Sequence, residues 1–156
     1  MKNKHKRKVV FNPYVTYTDE QLIESIESYL IYRKSCDVAR MLVVECCHDS
    51  YETVDTTEEE CKFNSCLTVA LERNIPVDLT NSDLRCNLRS VASILDHMCG
   101  LELSWLDENR HCISDNDFIL EEENILLFYR GMIKDLSEEQ ISEVEKRLCD
   151  DYSLVL

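Results

Sequence analysis

In Leu84-Arg85-Cys86-Asn87-Leu88-Arg89-Ser90-Val91-Ala92-Ser93-Ile94-Leu95-Asp96-His97-Met98-Cys99-Gly100, the apolar positions Leu84, Leu88, Val91, Ala92, Leu95, Met98 and Cys99 recur three or four residues apart. That spacing gathers them on one broad helical stripe. The helix is expected to begin near Ser82 and to end at Gly100, where glycine suits a left-handed cap. Leu101 to Trp105 then adds a further turn. The rest of the chain has the same character. It holds only two glycines and two prolines in 156 residues, too few for the tight turns of an all-β fold. The one strand-like run, Met41-Leu42-Val43-Val44, is too isolated to build a sheet. The expected fold class is all-α.

Helix starts are marked by capping boxes, in which a hydroxyl caps the helix and a side chain three residues on reaches back. The pattern occurs at Thr18…Gln21, Thr56…Glu59 (or Thr57…Glu60), Ser137…Gln140 and, with an acid in the last place, Thr80…Asp83. Outward from the Leu84–Gly100 stripe, a first helix is expected from about Asp19 to Ser35, with Leu22, Ile23, Ile26, Tyr29 and Leu30 on one face. A short second helix covers about Val38 to Cys47. A third runs from about Glu58 to Arg73, with Cys61, Leu67 and Ala70 among its apolar positions, and Ile75-Pro76-Val77 breaks it. Helices from about Asp117 to Asp135 and from Glu138 to about Cys149 follow. On the last, Ile141, Val144 and Leu148 face inward. The total is six or seven helices.

A length of 156 residues fits one domain large enough to bury a core without a metal or disulfide staple. Residues 1–16 read as a flexible basic tail, 17–150 as the helical domain and 151–156 as a short C-terminal tail. Lys2, Lys4, Lys6, Arg7 and Lys8 put +5 in the first eight residues. The remainder carries 12 basic against 31 acidic residues, a formal charge of −19. Such a body repels phosphate, so nucleic acid is not expected as the main partner. No apolar run reaches the length of a membrane span, and no secretory leader is visible. No membrane anchor is therefore expected, and the nine cysteines read as free thiols of a reducing cytosol.

Chemistry-bearing motifs are sparse. Cys46, Cys47 and His48 are adjacent and His97 lies two before Cys99, yet no C-x-x-C occurs. Paired ligand spacing is what structural zinc needs, so no metal and no cofactor is expected. His5, His48, His97 and His111 could each meet a cysteine in space, but no local nucleophile signature accompanies them. Two isolated glycines exclude a phosphate-cradling loop. Glu121-Glu122-Glu123 and Glu138-Glu139 suit solvated first turns of helices, where acids complement the dipole. No catalytic residue is assigned.

The helix over Asp117–Asp135 carries a different signal. Phe118, Ile125, Leu126, Tyr129, Met132, Ile133 and Leu136 crowd one side, while Leu120 and Leu127 fall on the other, seven residues apart. Ile31 likewise lies opposite the core face of the first helix. Ile31, Leu120 and Leu127 are the candidate dimer or partner surface.

Taken together, Asp19-Glu20-Gln21-Leu22-Ile23-Glu24-Ser25-Ile26-Glu27-Ser28-Tyr29-Leu30-Ile31-Tyr32-Arg33, the Leu84–Gly100 helix and Glu123-Asn124-Ile125-Leu126-Leu127-Phe128-Tyr129-Arg130-Gly131-Met132-Ile133-Lys134-Asp135-Leu136 followed by Ser137 to Leu148 resemble the poxvirus Bcl-2-like family of intracellular immune modulators. The aromatic-rich end of that family's first helix is matched by Ser28-Tyr29-Leu30-Ile31-Tyr32-Arg33. The resemblance covers about Tyr17 to Leu148 and rests on helix order, length and pattern. It implies a Bcl-2-like bundle around a central helix, without enzymatic activity, acting in the host cytoplasm. It further implies suppression of signalling to NF-κB or interferon-regulatory factors by binding host adaptor or kinase proteins below Toll-like and interleukin-1 receptors. Several members dimerise through their first and sixth helices, on which Ile31, Leu120 and Leu127 would lie, so a homodimer is a further expectation. The alternative reading is an apoptosis inhibitor that takes a pro-apoptotic helix into a groove lined by Leu84, Leu88 and Val91. Two departures count against it. Val77-Asp78-Leu79-Thr80 stands where the cellular Trp-Gly-Arg signature would be, and the C-terminal anchor of anti-apoptotic members is missing. A third class, a thiol-dependent enzyme, would need one unusually reactive cysteine.

Overall fold

Five α-helices carry the structure, a computed structural model that describes residues 11–46, 48, 54–79 and 84–153, with side chains up to 148. They are α1 (Asp19–Glu45), α2 (Thr57–Glu72), α3 (Leu88–Glu108), α4 (Asp115–Asp135) and α5 (Glu138–Ser153). Short 3-10 turns occupy Pro13–Thr16 and Arg110–Cys112, and no strand occurs among the described residues. The all-α class is as expected; among the described residues there are five helices, where six or seven were expected.

The missing helix boundary lies in α1. The stretch read as two helices is one, because Ser35-Cys36-Asp37 contains nothing that breaks a helix. Ser35 is buried, and its hydroxyl donates to the Ile31 carbonyl at 2.8 Å while lying 2.9 Å from Ser90 Oγ on α3. A serine satisfied in this way stays helical. What changes along α1 is the buried face. Leu22 and Ile26 are buried in its first half, and Val38, Ala39, Leu42 and Val43 in its second. At about 100° per residue, Val38 lies roughly 160° round from Leu22. The first half therefore packs with α2 and the Pro13–Thr16 turn, forming a small core of Leu22, Ile26, Cys66, Val69 and Ala70. The second half turns its opposite side to α3 and α5. There it shares the main core with Val91, Leu95 and Leu106 of α3, Tyr129 of α4 and Val144 of α5.

Helix ends follow local chemistry that the sequence reading caught in part. The Thr18–Gln21 box forms with both reciprocal bonds, and Ser137 Oγ accepts from Gln140 N–H at 3.1 Å. Thr56 makes no side-chain cap; instead Asp55 Oδ1 accepts from Thr57 N–H at 3.0 Å. The Thr80–Asp83 box lies outside the described residues. Before the proline, α2 has already stopped: Asn74 turns into the left-handed region (φ 56°) and Ile75 N–H reaches back to the Ala70 carbonyl at 2.9 Å. Asparagine tolerates that conformation better than other side chains with a Cβ.

The largest correction concerns α3. It starts at Leu88 rather than near Ser82, and it runs through Gly100 to Glu108. Leu84–Asn87 is held as a non-helical strap because other helices claim its backbone. Lys34 of α1 donates to the Leu84 carbonyl at 2.7 Å, and Cys86 N–H donates to Glu145 of α5 at 2.8 Å. Asn87 and Ser90 then cap α3 reciprocally. Gly100 has no positive φ and sits exposed in mid-helix. Its cost of about 1 kcal/mol is outweighed by the burial of Leu106 beyond it. Cys61, expected among the apolar positions of α2, is exposed. The inward faces expected for α4 and α5 meet the core as read, with Phe118, Ile125, Tyr129, Ile141 and Val144 buried and Leu126, Met132, Ile133, Leu136 and Leu148 partly buried against it.

The side chain of Leu95 is fully buried where the four main helices meet. Leu95→Ala is expected to lower stability by about 2–5 kcal/mol. In urea unfolding this appears as a lower midpoint at unchanged slope.

Candidate functional site

α4 presents the most apolar exposed face among the described helices. It packs chiefly on α3 through Phe118, Ile125 and Tyr129. Opposite, Leu120 is 55% and Leu127 63% exposed, and Ile119 beside them is 64% exposed. Seven residues separate the two leucines, so they stand one above the other two turns apart. Ser114 starts the helix by accepting from Asp117 N–H at 3.2 Å, which fixes the phase of this face. Ile31, grouped with the leucines in the sequence reading, is half-buried. It lies about 180° round α1 from Leu22, on the side that the second half of α1 turns to the main core. The main neighbours of α1 are α2, α3 and α5, whereas that of α4 is α3.

The groove residues are placed inward. Val91 is fully buried, Leu88 is packed against the main core, and Leu84 is half-buried in the strap rather than on a helix.

Two buried carboxylates that the sequence reading did not single out, Glu102 and Glu145, organise the polar interior. Glu145 Oε1 accepts from the Cys86 N–H at 2.8 Å and from its thiol at 2.6 Å, and Arg85 approaches Oε2 at 3.4 Å. Glu102 of α3 meets His48 Nε2 at 2.8 Å. The His48 ring stacks on Phe128 at 4.1 Å and stands edge-on to Tyr129 at 5.6 Å. The His48 side chain thus packs on α3 and α4, instead of joining a ligand set with Cys46; Cys47 lies outside the described residues. Glu102 stands four residues beyond Met98 and three beyond Cys99, and Glu145 four beyond Ile141, so both interrupt the apolar face of their own helix, and their partners show how each is satisfied. Among the described residues, no group of three or more His, Cys, Asp or Glu side chains gathers to hold a metal ion.

The thiols sort by environment. Cys46, Cys61 and Cys112 are exposed. Burial pushes the Cys36, Cys66 and Cys99 thiols up from the ordinary value. Cys86 is pushed up to about 12, first by burial and then by the Glu145 carboxylate against its sulfur. A thiol held this way resists forming the nucleophilic thiolate. Among the described residues, no helix is long and apolar enough to cross a membrane.

In comparisons with known proteins, no family model, no curated protein and no solved structure matches this chain.

In native thiol labelling, Cys46, Cys61 and Cys112 should react first, with Cys86 the slowest of the described thiols. The folded chain also keeps the Cys86 proton after the unfolded chain, near the ordinary 9.0, has lost it. The stability this contributes is complete below pH 9.0 and is lost as pH climbs from there towards about 12. Glu145→Gln removes the neighbouring charge and should speed Cys86 labelling above pH 9.0, read by mass spectrometry against the wild type.

Proposed function

We propose that this chain is a protein-binding inhibitor of host innate immune signalling, of the poxvirus Bcl-2-like kind. It acts by sequestering a host adaptor or kinase rather than by catalysis. The observation that carries the reading is the outward face of α4. Leu120 and Leu127 stay more than half exposed on a helix whose other side fills the main core. An apolar face costs solubility when left open, and covering it with a partner recovers that cost. The acidic body, with its charge of −14 for the whole chain, suits a protein partner better than a nucleic acid. The resemblance carried by the sequence of residues 19–33 and 123–148 points the same way. The groove alternative has less behind it, since a peptide reaching Val91 would have to open the main core.

The test is an NF-κB reporter assay in mammalian cells stimulated through the interleukin-1 receptor. Wild-type chain is expected to suppress the reporter. Leu120→Glu combined with Leu127→Glu should fold normally by circular dichroism and lose most of the suppression. A wild-type chain that is well expressed and leaves the reporter untouched refutes the pathway assignment.

A further inference from the structure

Beside the packed seam of α1 and α2 lies a cavity of about 280 Å³ that neither the α4 face nor the two buried carboxylates involve. Its walls include Glu24, Tyr29 and Tyr32 from α1 and Glu59, Lys62 and Phe63 from α2. Tyr29 and Phe63 stack with ring centroids 4.3 Å apart and form one aromatic wall. Burial, with Cys36 and Glu59 nearby, raises the Tyr32 hydroxyl to about 12, which keeps it neutral. Arg33 already donates to the Tyr29 hydroxyl at 3.4 Å, so a guanidinium is compatible with this wall.

Aromatic faces flanked by two carboxylates suit a cationic side chain, which gains from the ring quadrupole and from ion pairing at once. Lys62 offsets one of the two acids and leaves the lining with a formal charge of −1. We infer that this cavity is a binding site for a lysine or arginine side chain, and that its occupant is the chain's own basic segment, Lys2 to Lys8. Two observations favour that segment. It carries +5 with no acid, against −19 for the rest of the chain. The chain also enters the described structure beside the cavity: Asn12 Nδ2 donates to the Ser65 carbonyl at 3.0 Å. Ser65 and Lys62, three apart on α2, share a face. The distance along α2 from Ser65 to Glu59 is about 9 Å, while Arg7 to Asn12 can span about 17 Å.

The experiment uses the full chain and a zero-length carbodiimide cross-linker, mapped by mass spectrometry. Cross-links within one chain from Lys2, Lys4, Lys6 or Lys8 to Glu24 or Glu59 are expected, well above those to Glu121, Glu122 and Glu123 on α4. Limited trypsin digestion is the second readout. Glu24→Gln with Glu59→Gln should speed cleavage within Lys2–Lys8 several-fold, whereas the matched change Glu121→Gln with Glu123→Gln should not. Cross-links spread evenly over the acidic surface would overturn the inference. So would cross-links found only between chains, or cleavage rates that respond equally to both charge changes.

Discussion

The carboxylate of Glu145 is the interaction on which the arrangement of helices depends. It sits buried on α5 and takes the backbone N–H of Cys86, in a strap that would otherwise continue α3 backwards. A buried carboxylate must be met by donors, and a buried N–H must be met by an acceptor. Each satisfies the other here. With the strap fixed, Lys34 reaches the Leu84 carbonyl and Ser35 reaches Ser90, so α1, α3 and α5 are tied at one end by polar contacts. Arg147 and Glu45 add an ion pair between α5 and the end of α1. The apolar core then fills the space that these contacts define.

Much of this was legible in the chain. Periodicity located the inward faces of α4 and α5, and the Thr18 and Ser137 caps marked their helices. What could not be read was decided by partners distant in sequence. Leu84 carries the helical spacing of the α3 stripe, yet its carbonyl is claimed by a lysine fifty residues away. Gly100 looks like a cap, but a helix stops only when continuing buries less than stopping does, and Leu106 lies beyond it. The α1 seam at Ser35 looked like a boundary because the apolar stripe changes sides there. A change of buried face and a break in the helix give the same pattern in one dimension.

The exposure of Leu120 and Leu127 was legible for a simple reason, whereas Ile31, grouped with them, is half-buried. Leu120 and Leu127 contradict the amphipathic pattern of their own helix, and contradiction is visible without a structure. Glu102 and Glu145 break the pattern in the other direction, as acids at inward positions, but the histidine and the backbone N–H that satisfy them come from elsewhere in the chain and only the fold shows them.

The half-turn change of face along α1 also constrains how this chain can vary. α2 reads the phase of α1 near Leu22 and Ile26, while α3 and α5 read it near Val38 and Leu42. Losing or gaining one residue between those two zones would rotate one relative to the other by about 100° and move both sets of partners out of reach together. Substitutions along that stretch can be absorbed one side chain at a time, but its length cannot drift.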